Sequence, residues 1–556
     1  MEKLKIALIS VNSKYIHSSL AVWYLKAGIE KYSKGDIKAE VIETTINASF
    51  EDFFENLRFG NFDIFAFSSY IWNIEWILKL AKALKKEKPK AKILLGGPEV
   101  SYRARDILER YSFIDLVLSG EGEKPIAELS DALYFQRDIS EISALSFRKN
   151  GEIIEGEPFI DSADPPEVYS AEYLEKLRGR IAYIEASRGC PYRCAFCLSG
   201  RCGGVRYFEP VRVKKDILTL LNSGAKTIKF VDRTFNSSES RANEILGFIL
   251  NNIKDNSVCF HFEIAGDILR ESTLELLGKF PKGAVQLEIG MQSFNEETLK
   301  AINRKTDTKK LIENIKKLKA LGLQHIHIDL IAGLKGEDLE SFKNSFNIGY
   351  NLKANMLQLG FLKLLYGADM REKAEDFPCS FSENPPYEVT STPWLSEEEI
   401  KGLKRMEDAL ERLYNSGRFS ATLDYLTEEL NFDPFELFWE FGNSLNAERM
   451  PLMEYIGKVF EYFKEKPSVD PEILRDKLII DRLASDSSAN IPEILKIPDE
   501  RLKFIKKALR EKGKKLGVAI IYSEKRIVSA DYSKRDPVSS RYSFKEYDLE
   551  KFFENY

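Results

Sequence analysis

Four of the six cysteines of this chain lie between residues 190 and 202, in the stretch RGCPYRCAFCLSGRC (188–202). Cys190, Cys194 and Cys197 follow a C-x3-C-x2-C spacing, so one short loop carries three thiols. Three thiolates can bind three irons of a cubane cluster and leave the fourth iron open to another ligand. The alternative is a structural zinc site completed by Cys202, although the spacing to Cys202 differs from that of a zinc knuckle. The spacing therefore favours a 4Fe-4S cluster.

The composition is that of a folded chain without a strong charge preference. The 556 residues are 44% hydrophobic and carry 82 basic and 87 acidic side chains, a formal net charge of −5. This balance excludes a protein whose whole surface attracts nucleic acid or membrane. The N-terminus lacks the features of a signal peptide, and no stretch reaches the about 20 apolar residues of a membrane span. We therefore expect a cytoplasmic protein without a membrane span, whose reduced cysteines serve metal or redox chemistry.

Strand-like apolar runs alternate with helical patterns around and after the cysteine stretch. The predicted strands are 181–186, 226–231, 258–263, 285–290, 325–331 and 356–361. The predicted helices are 212–223, 239–252, 271–279, 295–302, 307–321 and 337–352. Six such units predict a partial (βα)6 barrel, with the cysteines at the carboxyl end of its first strand, where active sites of such barrels lie. Period-two alternation also puts His327 and Asp329 on one face of their strand. If that face points into the barrel, the two side chains could meet a ligand; a histidine packed within the strand is the favoured alternative.

A second alternation of strands and helices precedes the barrel. The predicted strands are 4–9, 62–68, 91–96 and 114–118, and the predicted helices are 19–33, 49–58, 74–87 and 124–134. This pattern predicts an α/β fold with a Rossmann-like parallel sheet, which binds ligands at the carboxyl ends of its strands. The loops at those ends are rich in glycine and serine, which let the backbone approach a ligand closely. Ordinary tight turns are the alternative for each loop.

The barrel region resembles the radical SAM superfamily. SRGCPYRCAFC resembles the family signature, and KFVDRTFN (229–236), LEIGMQSFNEETLKAINR (287–304) and HIDLIAGLKGED (327–338) match in order. The resemblance implies that Cys190, Cys194 and Cys197 bind a 4Fe-4S cluster that cleaves S-adenosylmethionine (SAM) to a 5′-deoxyadenosyl radical. The further cofactor contacts that it implies are Phe196, Asp232, Arg233, Glu288, Gln292 and Ser293. The Gly-Gly-Glu turn that many members carry is replaced here by residues 232–234.

The N-terminal region resembles the cobalamin-binding domain that precedes many radical SAM enzymes. GGPEVS (96–101) and DLVLSGEGEKPIAEL (115–129) carry this resemblance. It implies a cobalamin edge lined by Ser68, Ser69, Gly96, Gly97, Gly120, Glu121 and Gly122. Family members with a histidine on cobalt have D-x-H-x-x-G after the first strand. The corresponding segment of this chain is YIHSSL (15–20), in which His17 aligns with the family histidine while Tyr15 and Leu20 replace the Asp and the Gly. His17 is therefore a candidate cobalt ligand or an ordinary loop histidine.

The C-terminal region is of a different kind. Ser396 and Glu399 predict a capping box, and amphipathic helices follow through about 464 and at 471–484 and 499–513, before a small hairpin. Residues 499–536 hold 12 basic and 6 acidic side chains, which predicts either a solvated face or a contact to a polyanion such as tRNA. The region resembles the C-terminal domain of a largely uncharacterised branch of cobalamin-linked radical SAM proteins. We predict a cobalamin-binding domain (1–136), a linker (137–180), the partial barrel (181–378) and a mainly helical domain (379–556).

The two resemblances together imply an enzyme that uses cobalamin and SAM for radical methylation of an unactivated carbon. One alternative is a radical ring closure or rearrangement without methyl transfer. A more remote alternative is a non-catalytic cobalamin or redox sensor with the C-terminal domain as its output module. The resemblance also implies an electron donor such as flavodoxin or ferredoxin, and a substrate that is a small molecule or tRNA.

Overall fold

A seven-stranded sheet forms the N-terminal part of the chain. The structure is a computed structural model that describes residues 2–445, 450–509 and 516–554, apart from the side chain of Cys202. The strands are β1 (Leu4–Asn12), β2 (Ile37–Thr45), β3 (Ile64–Ser68), β4 (Lys92–Gly96), β5 (Leu116–Leu118), β6 (Leu145–Lys149) and β7 (Glu152–Ile154). Their order is β2-β1-β3-β4-β5-β6-β7, parallel from β2 to β5 and antiparallel beyond. The predicted Rossmann-like parallel sheet is confirmed.

Helices cover both faces of this sheet. They are α1 (Leu20–Tyr32), α2 (Phe50–Phe59), α3 (Ile74–Glu87), α4 (Pro98–Ser101), α5 (Ala104–Arg110) and α6 (Glu123–Tyr134). Successive side chains of a strand point to opposite faces. Phe65 and Phe67 of β3 therefore pack in one apolar cluster with α2 and α3, while Ile64 and Ala66 pack in another with α1 and α6. Burial on both faces makes the inner strands continuous apolar runs, which is why the sequence reveals them.

Three strands of this sheet differ from the sequence-based expectation. The edge strand β2 has one fully buried residue among half-buried and exposed ones, so it lacks the apolar run of a central strand. The segment 137–180 is not a linker throughout, because it contributes β6 and β7 to the sheet. Leu145, Ser146 and Phe147 of β6 are buried and pair with β5. The other domain boundaries stay predictions.

The second sheet is the predicted partial barrel. Its strands are β8 (Ala182–Ile184), β11 (Thr227–Phe230), β12 (Cys259–Ile264), β13 (Val285–Gln292), β14 (His325–Ala332) and β15 (Met356–Phe361), parallel and adjacent in that order. A short hairpin of β9 (Ser187–Gly189) and β10 (Val205–Tyr207) follows β8. The helices of this region are α7 (Ala171–Lys176), α8 (Pro210–Asn222), α9 (Glu239–Asn252), α10 (Glu271–Leu277), α11 (Glu296–Ala301), α12 (Thr308–Leu321), α13 (Leu339–Asn351) and α14 (Asp369–Glu372). The six strand-and-helix units are confirmed.

The C-terminal region is mainly helical, as predicted, and carries two small sheets. Its strands are β16 (Ser380–Phe381), β17 (Val389–Ser391), β18 (Gly517–Ile521), β19 (Arg526–Arg535) and β20 (Tyr542–Asp548). Its helices are α15 (Glu397–Leu410), α16 (Ser420–Asp424), α17 (Pro434–Ser444), α18 (Leu452–Phe463), α19 (Pro471–Ser485), α20 (Glu500–Ala508) and α21 (Leu549–Glu554). The capping box of Ser396 and Glu399 is present, and the hairpin gains β20 as a third strand. The predicted helix 499–513 lies partly outside the described residues.

The C-terminal region also covers the edge of the barrel. A π-helical segment, Glu411–Asn415, continues α15 and lies beside β15. Asn415 accepts a hydrogen bond from Leu357 N at 2.9 Å and donates one to Leu357 O at 2.9 Å. An unpaired strand edge is thereby satisfied by a side chain rather than by another strand.

Every helix in the described ranges is too short or too polar to span a lipid bilayer.

Gly96 and Gly97, at the end of β4, differ in the space that a side chain would have. Gly97 has a φ of +104°, and a Cβ there would stand 2.6 Å from Ser69 O. We expect Gly97→Ala to destabilise the chain by roughly 2–4 kcal/mol, through backbone strain and steric overlap. At Gly96 a Cβ would only reach ordinary contact, 3.5 Å from Leu118 O, so Gly96→Ala is the matched control. Urea unfolding measures both, and equal midpoints for the two variants would contradict this account.

Candidate active site

The three thiols of Cys190, Cys194 and Cys197 lie in the loop between β9 and β10, and each has one polar contact. Cys190 Sγ is 3.4 Å from Thr234 Oγ1, Cys194 Sγ is 3.7 Å from Nη1 of Arg304, and Cys197 Sγ accepts a hydrogen bond from Ser199 N at 3.4 Å. Burial raises the pKa of the Cys194 thiol, and the nearby thiols of Cys190 and Cys197 raise it further against the opposing charge of Arg304. Donors to sulfur stabilise thiolate ligands and tune a cluster's potential.

Residues beyond the cysteine stretch hold this loop in place. Ala195 N donates to Ile302 O at 2.9 Å, and Asn303 Nδ2 donates to Arg193 O at 2.8 Å. Arg304 anchors itself by a 2.5 Å hydrogen bond from Nη2 to Gly290 O. Asn303 and Arg304 end the motif at 287–304, and the structure shows that both side chains support the cysteine loop.

The donor set of this loop is three thiols from one short segment, which is the set that binds a 4Fe-4S cluster. In the described part of the chain, no group of three or more His, Cys, Asp or Glu side chains converges on one metal position. A cubane takes one thiolate per iron, so its three ligands need only surround the cluster, whereas structural zinc requires four ligands on one ion. The side chain of Cys202, the fourth ligand of the zinc alternative, lies outside the described residues.

The barrel lumen is lined by charged side chains from adjacent strands. Lys229 Nζ lies 3.1 Å and His261 Nε2 lies 2.9 Å from Glu288 Oε2. Although burial raises the pKa of Glu288, the hydrogen bond from His261 and the charge of Lys229 lower it to about 2. The alternate residues Ile228 and Phe260 pack in the apolar core outside the lumen. Glu288 is therefore an ionised carboxylate inside the barrel, where the resemblance expects a cofactor contact.

His327 and Asp329 occupy the same lumen, as their shared face predicts. His327 Nε2 lies 2.9 Å from Asp329 Oδ1. Both atoms are buried. Burial lowers the pKa of His327, but Asp329, Glu288 and Gln358 together outweigh burial and raise it above the ordinary value. His327 and Asp329 therefore pair with each other inside the lumen, next to the charged group around Glu288.

Arg233 follows β11 and carries a cation near groups of both sheets. Its side chain is 57% exposed and has Glu263 at 3.6 Å. The charge of Glu263, with those of Cys197, Tyr70 and Glu288, raises the pKa of Arg233 despite the opposing effect of burial. Tyr70 belongs to the loop after β3 of the N-terminal sheet. Arg233 is therefore an accessible cation on which groups of both sheets act.

Other predicted barrel contacts are already occupied by protein partners. Asp232 accepts hydrogen bonds from Ala186 N at 2.9 Å and from the Ser187 hydroxyl, and burial raises its pKa to about 7. Ser293 is fully buried and donates to Glu337 at 2.5 Å. The structure thus places Asp232 and Ser293 as supports of their loops. Gln292 ends β13 with a φ of +69°, and Phe196 packs against the apolar core.

The residues of the predicted cobalamin edge also fall into two groups, those suited to a ligand and those with contacts inside the protein. Ser68 ends β3, and Ser69 is fully buried with an Oγ that has no hydrogen-bond partner among the described residues. Gly96 ends β4, and a Cβ there would reach only ordinary contact with Leu118 O, so these three positions are suited to a close ligand. Gly97 and Gly120 are instead required by the protein itself, because a Cβ at each would overlap the backbone of Ser69 or Phe159, whereas at Gly122 it would meet only the end of the Leu25 side chain. Glu121 forms ion pairs with arginines of the barrel region.

His17 lies in the loop after β1 and contacts the barrel. Its Nδ1 is 2.7 Å from Tyr183 Oη, and Nε2 has no hydrogen bond within the described residues. Burial and the cations Lys14, Lys229 and Arg180 lower the pKa of His17, which favours neutral imidazole. A histidine held through one nitrogen and neutral at the other is suited to bind a metal.

The C-terminal region contacts the N-terminal domain through a tyrosine. Tyr387, fully buried between β16 and β17, donates a hydrogen bond to Glu99 of α4, and Arg103 Nη2 lies 3.1 Å from the same hydroxyl. Met370 N donates to Ala195 O, between Cys194 and Cys197, at 2.9 Å. The loop after β4 and the cysteine loop are therefore both braced by residues that follow the barrel.

Three family profiles match the chain in the order that the structure shows. The B12 binding domain matches residues 6–130, the Radical SAM superfamily matches residues 184–348, and a family described as a protein of unknown function, DUF4080, matches residues 375–555. This chain is a radical SAM protein with an N-terminal B12-binding domain and a C-terminal DUF4080 domain. The resemblances seen in the sequence are confirmed.

Several similar proteins are methyltransferases. The chain is 28% identical over 326 residues to 2-(S-pantetheinyl)-carbapenam-3-carboxylate methyltransferase of Streptantibioticus cattleyicolor, covering 52% of this chain and 45% of the relative. It is 28% identical to hopanoid C-3 methylase of Methylococcus capsulatus, covering 51% and 56%. It is also 28% identical to anaerobic magnesium-protoporphyrin IX monomethyl ester cyclase of a Synechocystis species, covering 42% and 48%. These matches span about half the length of each relative.

Solved structures of two cobalamin-dependent enzymes share the fold. OxsB with aqua-cobalamin and SAM bound gives a TM-score of 0.61 at 15% identity, covering 86% of this chain and 78% of that chain. TsrM of Kitasatospora setae with cobalamin and a 4Fe-4S cluster gives 0.57 at 17% identity, covering 69% and 80%. At these identities the likeness establishes the arrangement of the sheets and not the reaction.

The buried carboxyl of Glu337 predicts a pH dependence of stability. Burial raises its pKa to about 7 from an ordinary value of 4.5, although Ser293 and Ser345 donate hydrogen bonds to it. The folded chain keeps a proton that the unfolded chain releases, so this contribution is full below about pH 4.5 and is lost as the pH rises through 7. Relative to Glu337→Gln, we expect the unfolding free energy of the natural chain to fall by on the order of 2 kcal/mol between pH 5 and pH 8.

Urea unfolding across that pH range measures this difference. The control is Glu313→Gln, which changes an exposed carboxyl on α12 and should follow the natural chain at every pH. Parallel pH curves for Glu337→Gln and the natural chain would show that Glu337 is ionised in the fold.

Proposed function

We propose that this protein is a cobalamin-dependent radical SAM methyltransferase that methylates an unactivated carbon of a small molecule. The observation that carries the proposal is the meeting of three features where the two sheets contact each other. These are the loop with Cys190, Cys194 and Cys197, the carboxyl edge of a B12-binding sheet, and a barrel lumen lined by charged side chains. Methyltransferases among the similar proteins support the reaction type.

The side chains of this chain have distinct tasks in that reaction. When bound, the 4Fe-4S cluster and cobalamin supply the reductive cleavage of SAM and a carrier for the methyl group. Cys190, Cys194 and Cys197 would hold the cluster, and Ser69 with Gly96 would contact cobalamin. Glu288, kept ionised by Lys229 and His261, would orient a cationic group such as the SAM amine.

A radical ring closure without methyl transfer is the second candidate. It is favoured by the similarity to an anaerobic cyclase, at the same 28% identity as the methyltransferases. The cofactors and the cysteine ligands are common to both candidates, and only the fate of the substrate radical differs. An electron donor such as flavodoxin or ferredoxin and a tRNA substrate stay predictions, and part of the basic stretch 499–536 lies outside the described residues.

Replacement of one cluster ligand tests the radical chemistry. We expect Cys194→Ala to reduce 5′-deoxyadenosine formation from SAM to background, because two thiolates do not hold the cluster with an open iron. The full chain is reconstituted anaerobically with iron, sulfide and hydroxocobalamin, reduced with dithionite and assayed by mass spectrometry. Cys379→Ala, a half-buried cysteine outside the loop, is the matched control and should keep the natural rate. Equal 5′-deoxyadenosine from Cys194→Ala and the natural chain would disprove the cluster assignment.

The same assay with trideuteromethyl-SAM and a metabolite extract separates the two candidates. Methylation predicts S-adenosylhomocysteine and 5′-deoxyadenosine in equal amounts and a product that gains the labelled methyl group. Ring closure predicts 5′-deoxyadenosine without S-adenosylhomocysteine and no label in the product.

His17 gives a separate prediction for the cobalamin site. If its Nε2 binds cobalt, paramagnetic resonance of the bound Co(II) form shows nitrogen splitting, and His17→Ala abolishes it. Tyr183→Phe removes only the hydroxyl on Nδ1 and should keep the splitting. Identical spectra for His17→Ala and the natural chain would make His17 a loop residue whose role is its contact with Tyr183.

A further inference from the structure

The hairpin stem that carries the cysteine loop has two arginines directly opposite each other. β9 pairs with β10 in antiparallel register, and Arg206 stands opposite Arg188. Like charges at opposite positions of a strand pair repel and destabilise the pair. The stem therefore needs negative charge from elsewhere to close the loop between its strands.

The N-terminal domain supplies that charge. Glu121 Oε2 lies 2.9 Å from Nη1 of Arg188 and 2.8 Å from Nη2 of Arg206, so one carboxylate bridges both arginines. Arg188 has further carboxylates, Glu123 at 2.6 Å and Glu185 at 3.0 Å. Arg206 has no ion-pair partner other than Glu121 in the described part of the chain. Neutralisation of Arg206 thus depends on the neighbouring domain.

Glu121 presents its carboxylate from a fixed backbone. Its N–H donates to Phe159 O at 2.7 Å, and Gly120 before it has a φ of +84° with that carbonyl where a Cβ would stand. The five charged side chains of this network are between 10% and 21% exposed, so solvent screens their contacts only weakly. Hydrogen bonds between charged groups at such sites are stronger than those between neutral groups.

We propose that Glu121 is a positioning residue that closes the cysteine-bearing hairpin, so that the conformation of the cluster loop depends on the docked B12-binding domain. This role differs from the cobalamin contact that the sequence suggests for Glu121. It rests on the assignment of the cysteine loop as the cluster site and on no step of the reaction. The carboxyl end of β5 is thereby linked to the stem of the cluster loop, with Glu121 as the residue that contacts both of its arginines.

Limited trypsin digestion of the cluster-free full chain tests the proposal. Arg193 and Arg201 are exposed in the loop, and cleavage after them reports how often the loop opens. We expect Glu121→Gln to speed cleavage at both sites on the order of tenfold, with little change at sites elsewhere. Glu172→Gln is the matched control, because it removes the ion pair with Lys26 on α1 and leaves the loop untouched. Cleavage of Glu121→Gln at the natural rate would overturn the proposal.

A compensating variant distinguishes positioning by charge from general loosening. In the Glu121→Gln background, Arg206 is an unpaired cation facing Arg188, so adding Arg206→Gln should slow cleavage back toward the natural rate. In the natural background Arg206→Gln removes a favourable contact and should speed cleavage. The two substitutions therefore compensate, and additive effects in this double-mutant cycle would overturn the proposal.

The double variant also decides the matter if Glu121→Gln alone does not fold. A folded double variant with a protected loop supports the proposal, and a double variant that is equally unfolded overturns it. This experiment uses no cluster, cobalamin or substrate. Its failure leaves the proposed methyl transfer untouched, and failure of the SAM assay leaves the role of Glu121 untouched.

Discussion

The meeting of two parallel sheets at their carboxyl edges is the constraint on which the rest of this structure depends. Parallel strands joined by crossover helices leave all their functional loops at one edge. Here the loops after β1 and β5 contact β8 and the hairpin that follows it, and Glu99 after β4 contacts the segment that follows the barrel. The loops that carry the candidate cofactor contacts of both sheets are therefore brought together by the apposition of the sheets and by the side chains that hold it.

Those side chains show how charged groups are accommodated inside a folded chain. A charge removed from water is costly unless it is paired, and most charged groups where the two sheets meet are paired. Lys229 with Glu288 and Glu121 with two arginines are examples. Ser69 is an exception, because its buried Oγ has no hydrogen-bond partner among the described residues. A paired group maintains the fold, whereas an unpaired one remains available to a ligand.

The sequence predicts the architecture well because central parallel strands and amphipathic helices leave strong periodic signals. It misses β2, whose position at the sheet edge removes the apolar run, and β6 and β7, which are short and antiparallel. Its assignment of Glu121, Asp232 and Ser293 to cofactors stays a prediction, and the structure shows that all three side chains have protein partners. A motif locates a loop, whereas the partners of these side chains lie 44 to 85 residues away along the chain. Only the folded structure shows which polar atoms are already occupied.

The contact between Tyr387 and Glu99 has a consequence for how the molecule is assembled during synthesis. The two residues are 288 positions apart, and the carboxylate of Glu99 is buried. As the chain leaves the ribosome, the first sheet can form long before its partner tyrosine has been made. The brace on the loop after β4 is thus among the last contacts to form, and two separately produced halves would have to associate before that loop is secured. The loop after β4 is therefore secured only after the segment that contains Tyr387 has been translated.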